Sequence, residues 1–232
     1  MKRLLTILTL LIAFNGLNAQ FSNSIDFSGG PRLGLNVSSI TGDVESSGMK
    51  VGAHFGGLAN INLTDNIALQ PSLLFSMKGG TESYEMETPM DTFSIESDMR
   101  LNYFEIPLNF VYSFEAGPGH MQVFAGGYFA YGISSKNIQT LNDNEDESDI
   151  EFVNDAIDAD TGKVAVSPMD FGANAGLGYK MNDIQIQISY SLGFGNLNPK
   201  MDGESPEDKH SNAVIQFSAA YLFGGGRGMR YY

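Results

Sequence analysis

Three histidines, no cysteine, and 27 acidic against 13 basic side chains bound the chemistry open to this 232-residue chain. A nucleophilic site needs a hydroxyl or thiol activated by a neighbouring base, and His54, His120 and His210 are the only imidazoles available. None lies in a GxSxG, HExxH or paired-carboxylate motif, so the chain reads as a non-enzyme. Lacking cysteine, it also lacks disulfide frameworks, thiolate metal sites and Cys nucleophiles. A formal net charge of −14 argues against a nucleic-acid partner, because phosphate binding requires concentrated Lys and Arg.

Oxygen ligands are the remaining option. Asp143, Glu145, Asp146, Glu147, Asp149, Glu151, Asp155, Asp158 and Asp160 crowd between Ser135 and Met169, opposed only by Lys136 and Lys163. Asp158-Ala-Asp160-Thr-Gly162 echoes a calcium loop, which makes Asp155, Asp158 and Asp160 a candidate Ca²⁺ set. The twelfth-position Glu of such a loop is missing, and a solvated acidic loop is the plainer reading. No other cofactor is expected.

These residues must be positioned by strands. Residues 1–19 form a signal peptide: Lys2 and Arg3, then an apolar run from Leu4 to Phe14, then the small residue Ala19 before a cleavage point. That run is too short to span a bilayer as a helix, which takes about 20 residues. Residues 20–29 form a periplasmic N-terminal segment, 30–223 the folded domain and 224–232 a C-terminal tail. Within 30–223 apolar residues recur at every second position, in eight runs bounded by Gly, Asn, Asp and Pro. These runs are 30–40, 51–63, 67–78, 101–114, 121–134, 170–180, 184–192 and 212–223. The fourth puts Phe104, Ile106, Leu108, Phe110, Tyr112 and Phe114 on one face, with Tyr103, Glu105 and Asn109 on the other.

A soluble β-sandwich alternates too, so the connections decide. They run long, short, long, short, long, short, long, the rhythm of tight periplasmic turns and long outer loops in a membrane barrel. Aromatics sort to the strand ends, with Tyr112, Phe114, Tyr179, Tyr221 and Phe223 at one rim and Phe55, Phe75, Phe104, Phe171 and Tyr190 at the other. Two such girdles mark the lipid interfaces. The expected fold is all-β: an eight-stranded antiparallel up-and-down transmembrane β-barrel with short periplasmic turns and long acidic extracellular loops. Pro71 and Pro107 fall inside adjacent strands, where a bulge or a locally open ladder is expected.

The runs NYFEIPLNFVY (102–112), LQPSLLFSMKGG (69–80), MDFGANAGLGY (169–179) and ISYSLGFGNLNP (188–199) resemble the PorT-like outer-membrane β-barrel proteins of Bacteroidetes. The resemblance spans about residues 30 to 223 and implies a small barrel in the outer membrane. Its namesake takes part in type IX secretion, a role that fold and location alone do not transfer. Barrels of this type end on an aromatic, and here either Phe223 or the Tyr231-Tyr232 pair serves as the assembly signal.

An eight-stranded barrel is just wide enough for its own side chains to fill. Arg32, Lys78, Glu105 and Asp170, together with Asn36, Gln70, Asn109, Asn174, Gln185 and Gln187, are expected to line the lumen as a polar network, with Lys78 approaching Glu105. The alternative is an ion path. The expected function is a structural or interaction barrel that presents acidic loops, linked to a secretion or envelope complex. Its other expected partners are outer-membrane lipid, lipopolysaccharide and the barrel-assembly machinery. The alternatives are a small-solute porin and, last, an outer-membrane enzyme.

Overall fold

The computed structural model describes residues 26–43, 48–87, 92–141, 144–159 and 164–224. The expected signal peptide, Asp160 and the Tyr231-Tyr232 pair lie outside the described residues. The strands are β1 Asp26–Gly42, β2 Lys50–Asn62, β3 Ile67–Glu87, β4 Thr92–Ala116, β5 Gly119–Leu141, β6 Asn144–Phe152, β7 Val164–Val166, β8 Met169–Met181, β9 Ile184–Gly193 and β10 His210–Tyr221. β1 to β5 pair in succession, β5 pairs with β8, β8 with β9, β9 with β10, and β10 returns to β1, all antiparallel. That path is a closed ring in which every strand has a partner on both sides, the condition for a sheet to sit in lipid. β6 and β7 stand outside it, β6 antiparallel to β5 and β7 parallel to β6.

The register fixes the ring's dimensions. Following paired residues from Asp26 through Asn62, Ala68, Val111, Phe124, Gly176, Ser189 and Gln216 leads back to Asn36, ten residues further along β1. At about 3.3 Å per residue and about 4.8 Å between strands, that stagger tilts the strands by roughly 41° and gives a backbone radius of about 8 Å. Phe104 to Phe114 on β4 then climb about 25 Å along the axis, the height of the apolar band in outer-membrane barrels.

Exposure is inverted relative to a soluble protein. Leu33, Leu73, Phe110, Ile186 and Phe217 point outward and exposed, while Arg32, Asn36, Gln70, Lys78, Glu105, Asn109 and Asp170 are buried. Apolar surface costs about 25 cal/mol per Å² in water, so this wall is stable only against hydrocarbon. Strand alternation produces the inversion, because successive side chains point to opposite faces.

Three apolar clusters interrupt the polar interior. Leu58, Ala220 and Leu222 form one, and Ala68, Val111 and Phe124 another, both at the short-turn end. The third, at the long-loop end, gathers Ile40, Leu101, Tyr103, Tyr128, Ala130, Ile150, Val166 and Leu197, with Met99 and Phe152 packed against it.

Two of the expected connections are not loops. Residues 79–100, expected as a long loop, carry β3 and β4 on as a hairpin paired from Gly79 and Arg100 to Glu87 and Thr92. Residues 135–169, expected as a solvated loop, contain the end of β5, all of β6 and β7, and a 3-10 turn at Ala156–Asp158. At the prolines the ladder does open: β3 pairs with β4 at Pro71 and Leu108 and again at Leu74 and Glu105, with no pairing between. A register shift between Asn102 and Tyr103 leaves Ile133 of β5 without a cross-strand partner on β4, a bulge above that gap.

Candidate functional site

The lumen brings Lys78, Glu105 and Asp170 together. Glu105 on β4 and Asp170 on β8 lie in one cross-strand row on either side of Ala130 on β5, whose small side chain leaves the space between them open. Lys78 reaches in from β3, with its Nζ 2.7 Å from Glu105 Oε2 and 3.2 Å from Asp170 Oδ2. Its ammonium also stands over two rings, 4.5 Å from the Tyr128 centroid and 5.3 Å from that of Tyr103. Tyr128 Oη donates to Asp170 Oδ1 at 3.1 Å, and Asn212 Nδ2 donates to Asp170 Oδ2 at 2.9 Å. Strands β3, β4, β5, β8 and β10 thus meet on one ion cluster across the bore.

Arg32 does not join this contact set. Its Nη2 donates to Ser218 Oγ at 2.9 Å, and Ser218 Oγ lies 2.9 Å from His54 Nε2. His54 Nδ1 is 2.7 Å from Asn36 Oδ1. Asn36 Nδ2 donates to Met77 O at 2.8 Å and to Ser76 Oγ at 3.1 Å, so its oxygen faces the ring and Nδ1 carries the proton. His54 lies flat against β1 because Gly34 has no side chain: a Cβ there would stand 2.5 Å from His54 Cε1.

Serine, histidine and asparagine in this order have the spacing of a charge relay. Here the serine oxygen is covered by the Arg32 guanidinium and all four residues are buried. The arrangement bonds β10, β2, β1 and β3 to one another across the lumen. Nearer the short-turn end, Gln70 Nε2 donates to Asn60 Oδ1 at 3.2 Å and Gln187 Nε2 to Gln70 Oε1 at 3.1 Å, a third tier of cross-bore bonds.

Above the ion cluster the mouth is covered. Phe152 of β6 tilts onto Tyr103, ring centroids 5.7 Å apart, and occupies the space over Gly132, where a Cβ would come within 2.4 Å of the ring. Ile150, Val166 and Leu197 complete the cover. Backbone bonds tie it down, with Gly132 N to Pro168 O at 2.7 Å, Ser167 N to Leu197 O at 2.7 Å and Ala156 N to Lys200 O at 2.7 Å.

Of the candidate Ca²⁺ set, Asp155 is a latch. Its Oδ2 accepts from Gly203 N at 2.7 Å, and its Oδ1 from Asp202 N at 3.1 Å and Ile157 N at 3.3 Å, so β6–β7 is held to the β9–β10 connection. Desolvation raises its pKa, and the donors from Gly203, Ile157 and Asp202 outweigh that, holding it below the ordinary aspartate value. Backbone N–H groups aimed at a carboxylate leave it poorly placed to face a cation. Asp158 is exposed, and among the described residues no three His, Asp or Glu side chains gather as ion ligands.

Sequence reasoning missed the inward aromatics Phe124 and Tyr128, and the apolar undersides of β6 and β7. In β5 both faces carry aromatics and glycines, which erases the alternation. The only signal for the cover was the apolar pair Ile150 and Phe152 within an acidic run.

The model of the outer membrane protein beta-barrel domain family matches residues 18–198. No curated protein matches the chain. Among solved structures, the chain is similar to Ail, the attachment invasion locus protein of Yersinia pestis, at 11% identity over 85% of this chain and 99% of that one, with a TM-score of 0.43. It is similar to Neisserial surface protein A at 10% identity over 86% and 99%, TM-score 0.43. It is also similar to OprG from Pseudomonas aeruginosa at 11% identity over 86% and 95%, TM-score 0.35.

Proposed function

Because the chain belongs to the outer membrane protein beta-barrel domain family, we propose that it is a closed, non-catalytic barrel that carries a folded platform on the outer surface of the cell. The short turns face the periplasm, with Asp26 and Phe223 at the same end of the barrel, and β6, β7 and the β9–β10 connection face the outside. Residues 1–19 export the chain and are removed, the barrel-assembly machinery inserts it, and lipid and lipopolysaccharide surround the wall. The runs that resemble PorT-like barrels support a place beside them, as an interaction barrel in an envelope or secretion complex. This function requires no cofactor, and the Asp155 carboxylate is already committed to the latch.

The observation that carries this reading is the construction of the lumen: side chains bonded across the bore at three levels, with an apolar cluster at each end. An ion entering it must break the Lys78 cluster and cross apolar ends that offer no ligand.

The chain has no cysteine, so single-cysteine variants report exposure cleanly. In intact cells Glu147→Cys should react with a membrane-impermeant maleimide, Asp65→Cys only after the outer membrane is permeabilised, and Ser218→Cys under neither condition. Rapid labelling of Ser218→Cys in the folded barrel would overturn the closed reading, and the reverse pattern at the other two sites would overturn the orientation.

A further inference from the structure

The platform is not covered everywhere. Between the tip of β1, β7 and the β9–β10 connection lies a cleft of about 80 Å³, lined chiefly by Ile40, Met99, Val164, Val166, Leu197 and His210. Apolar side chains are also exposed on the neighbouring segments. Val164 is 43% exposed at the cleft rim, and Ile157 and Met201 are 66% and 67% exposed on the two segments that the Asp155 latch joins. Unlike Leu33 or Phe110 on the wall, these residues lie on connections beyond the ring, where the surrounding medium is water. Exposed aliphatic side chains beside a cleft, rimmed by polar groups, mark an interaction surface. The β9–β10 connection that supplies Leu197, Asn198 and His210 to the lining is acidic: Asp202, Glu204, Glu207 and Asp208 are exposed on it against Lys200 and Lys209, and Asn198 Nδ2 donates to Asp208 O.

We infer that this cleft docks a Lys- or Arg-bearing segment of another protein, which seats one branched aliphatic side chain between β7 and the β9–β10 connection. The inference rests on the proposed orientation, which puts this end outside the cell. Two features select the occupant. The volume admits one Val- or Leu-sized group, and the excess of carboxylates favours a cationic neighbour and repels an acidic one. The apolar anchor supplies affinity and the charged rim supplies approach and selection, the usual division between the centre and edge of an interface. A lipid acyl chain would gain nothing from the carboxylate rim.

The chain contains no tryptophan, so Met201→Trp places a single exposed reporter on the β9–β10 connection that lines the cleft. The probe is a ten-residue peptide of alternating Lys and Leu, titrated onto this variant in phosphatidylcholine nanodiscs. A saturable shift in Trp emission is expected, weakened by added salt. Ala165 also lines the cleft, so filling it with Ala165→Leu, or replacing Leu by Ser in the peptide, should weaken binding about tenfold or more, the worth of one buried aliphatic side chain. Should Ala165→Leu fail to fold, Val164→Lys at the exposed Val164 serves the same purpose, since it removes apolar lining and adds a charge that repels the peptide. The proposal is overturned by equal binding of a Glu–Leu peptide, by unchanged binding to the filled cleft, or by no shift with the Lys–Leu peptide. Each of these in a barrel that still labels from outside at Glu147→Cys refutes the docking site alone; loss of that labelling refutes the orientation beneath it.

Discussion

Lys78 is the residue on which the interior depends most. Its ammonium is buried against two carboxylates, and removing one partner of a buried ion pair costs about 3–5 kcal/mol because the remaining charge is stranded. Lys78→Met should therefore destabilise the barrel by about 3–5 kcal/mol in urea unfolding from lipid vesicles. Adding Glu105→Gln to it should recover part of the loss rather than add to it, since the two side chains are coupled. Asp155 makes a pH-dependent contribution. Its carboxyl is depressed in the folded state, so the latch it forms is intact above the ordinary aspartate pKa and is lost as pH falls through the lower folded value. Protection of the Asp202 and Gly203 amides against hydrogen exchange, taken relative to the intrinsic rate at each pH, should fall below about pH 4, and Asp155→Asn should remove that pH step. At this scale the sequence was most legible where alternation was clean: Arg32, Lys78, Glu105 and Asp170 all lie on the polar face of their strands and all are buried. The partner of each was less legible, because Arg32 bonds Ser218 on β10, a neighbour only once the ring has closed.

At the level of elements, apolar alternation marked the strands only where lipid demands it. β9 reads as Ile184, Ile186, Ile188, Tyr190 and Leu192 against Gln185, Gln187, Ser189 and Ser191, and it was found to within a residue. β3 and β4 stay paired from Gly79 and Arg100 to Glu87 and Thr92, where the alternation is confined to two short pieces, Tyr84-Glu85-Met86-Glu87 and Phe93-Ser94-Ile95-Glu96, set among polar residues and therefore too brief to stand out as a strand. β6 was hidden for a related reason, since its acids suit water and only Ile150 and Phe152 turn toward the mouth. Gly132 is the contact that seats this cover. Gly132→Ala would put a methyl where the Phe152 ring lies, and should raise protease sensitivity in β6–β7 while the barrel keeps its heat-modifiable mobility on gels. Unchanged proteolysis would mean that Phe152 does not hold the cover in place.

Taken as a whole, the molecule solves the membrane problem by inversion. Its apolar residues form the outer wall, its charges neutralise one another inside a bore of about 8 Å backbone radius, and its remaining polar chain builds a cover above one rim. The stagger that tilts the strands also sets that radius, so ring closure and lumen closure have one cause. Closure is the claim on which the rest depends, and conductance tests it most directly. Purified barrel in planar lipid bilayers under applied voltage should show no current steps above the protein-free bilayer, with Lys78 and Phe152 intact. Steady open-channel currents from the folded, unmodified protein would contradict the account.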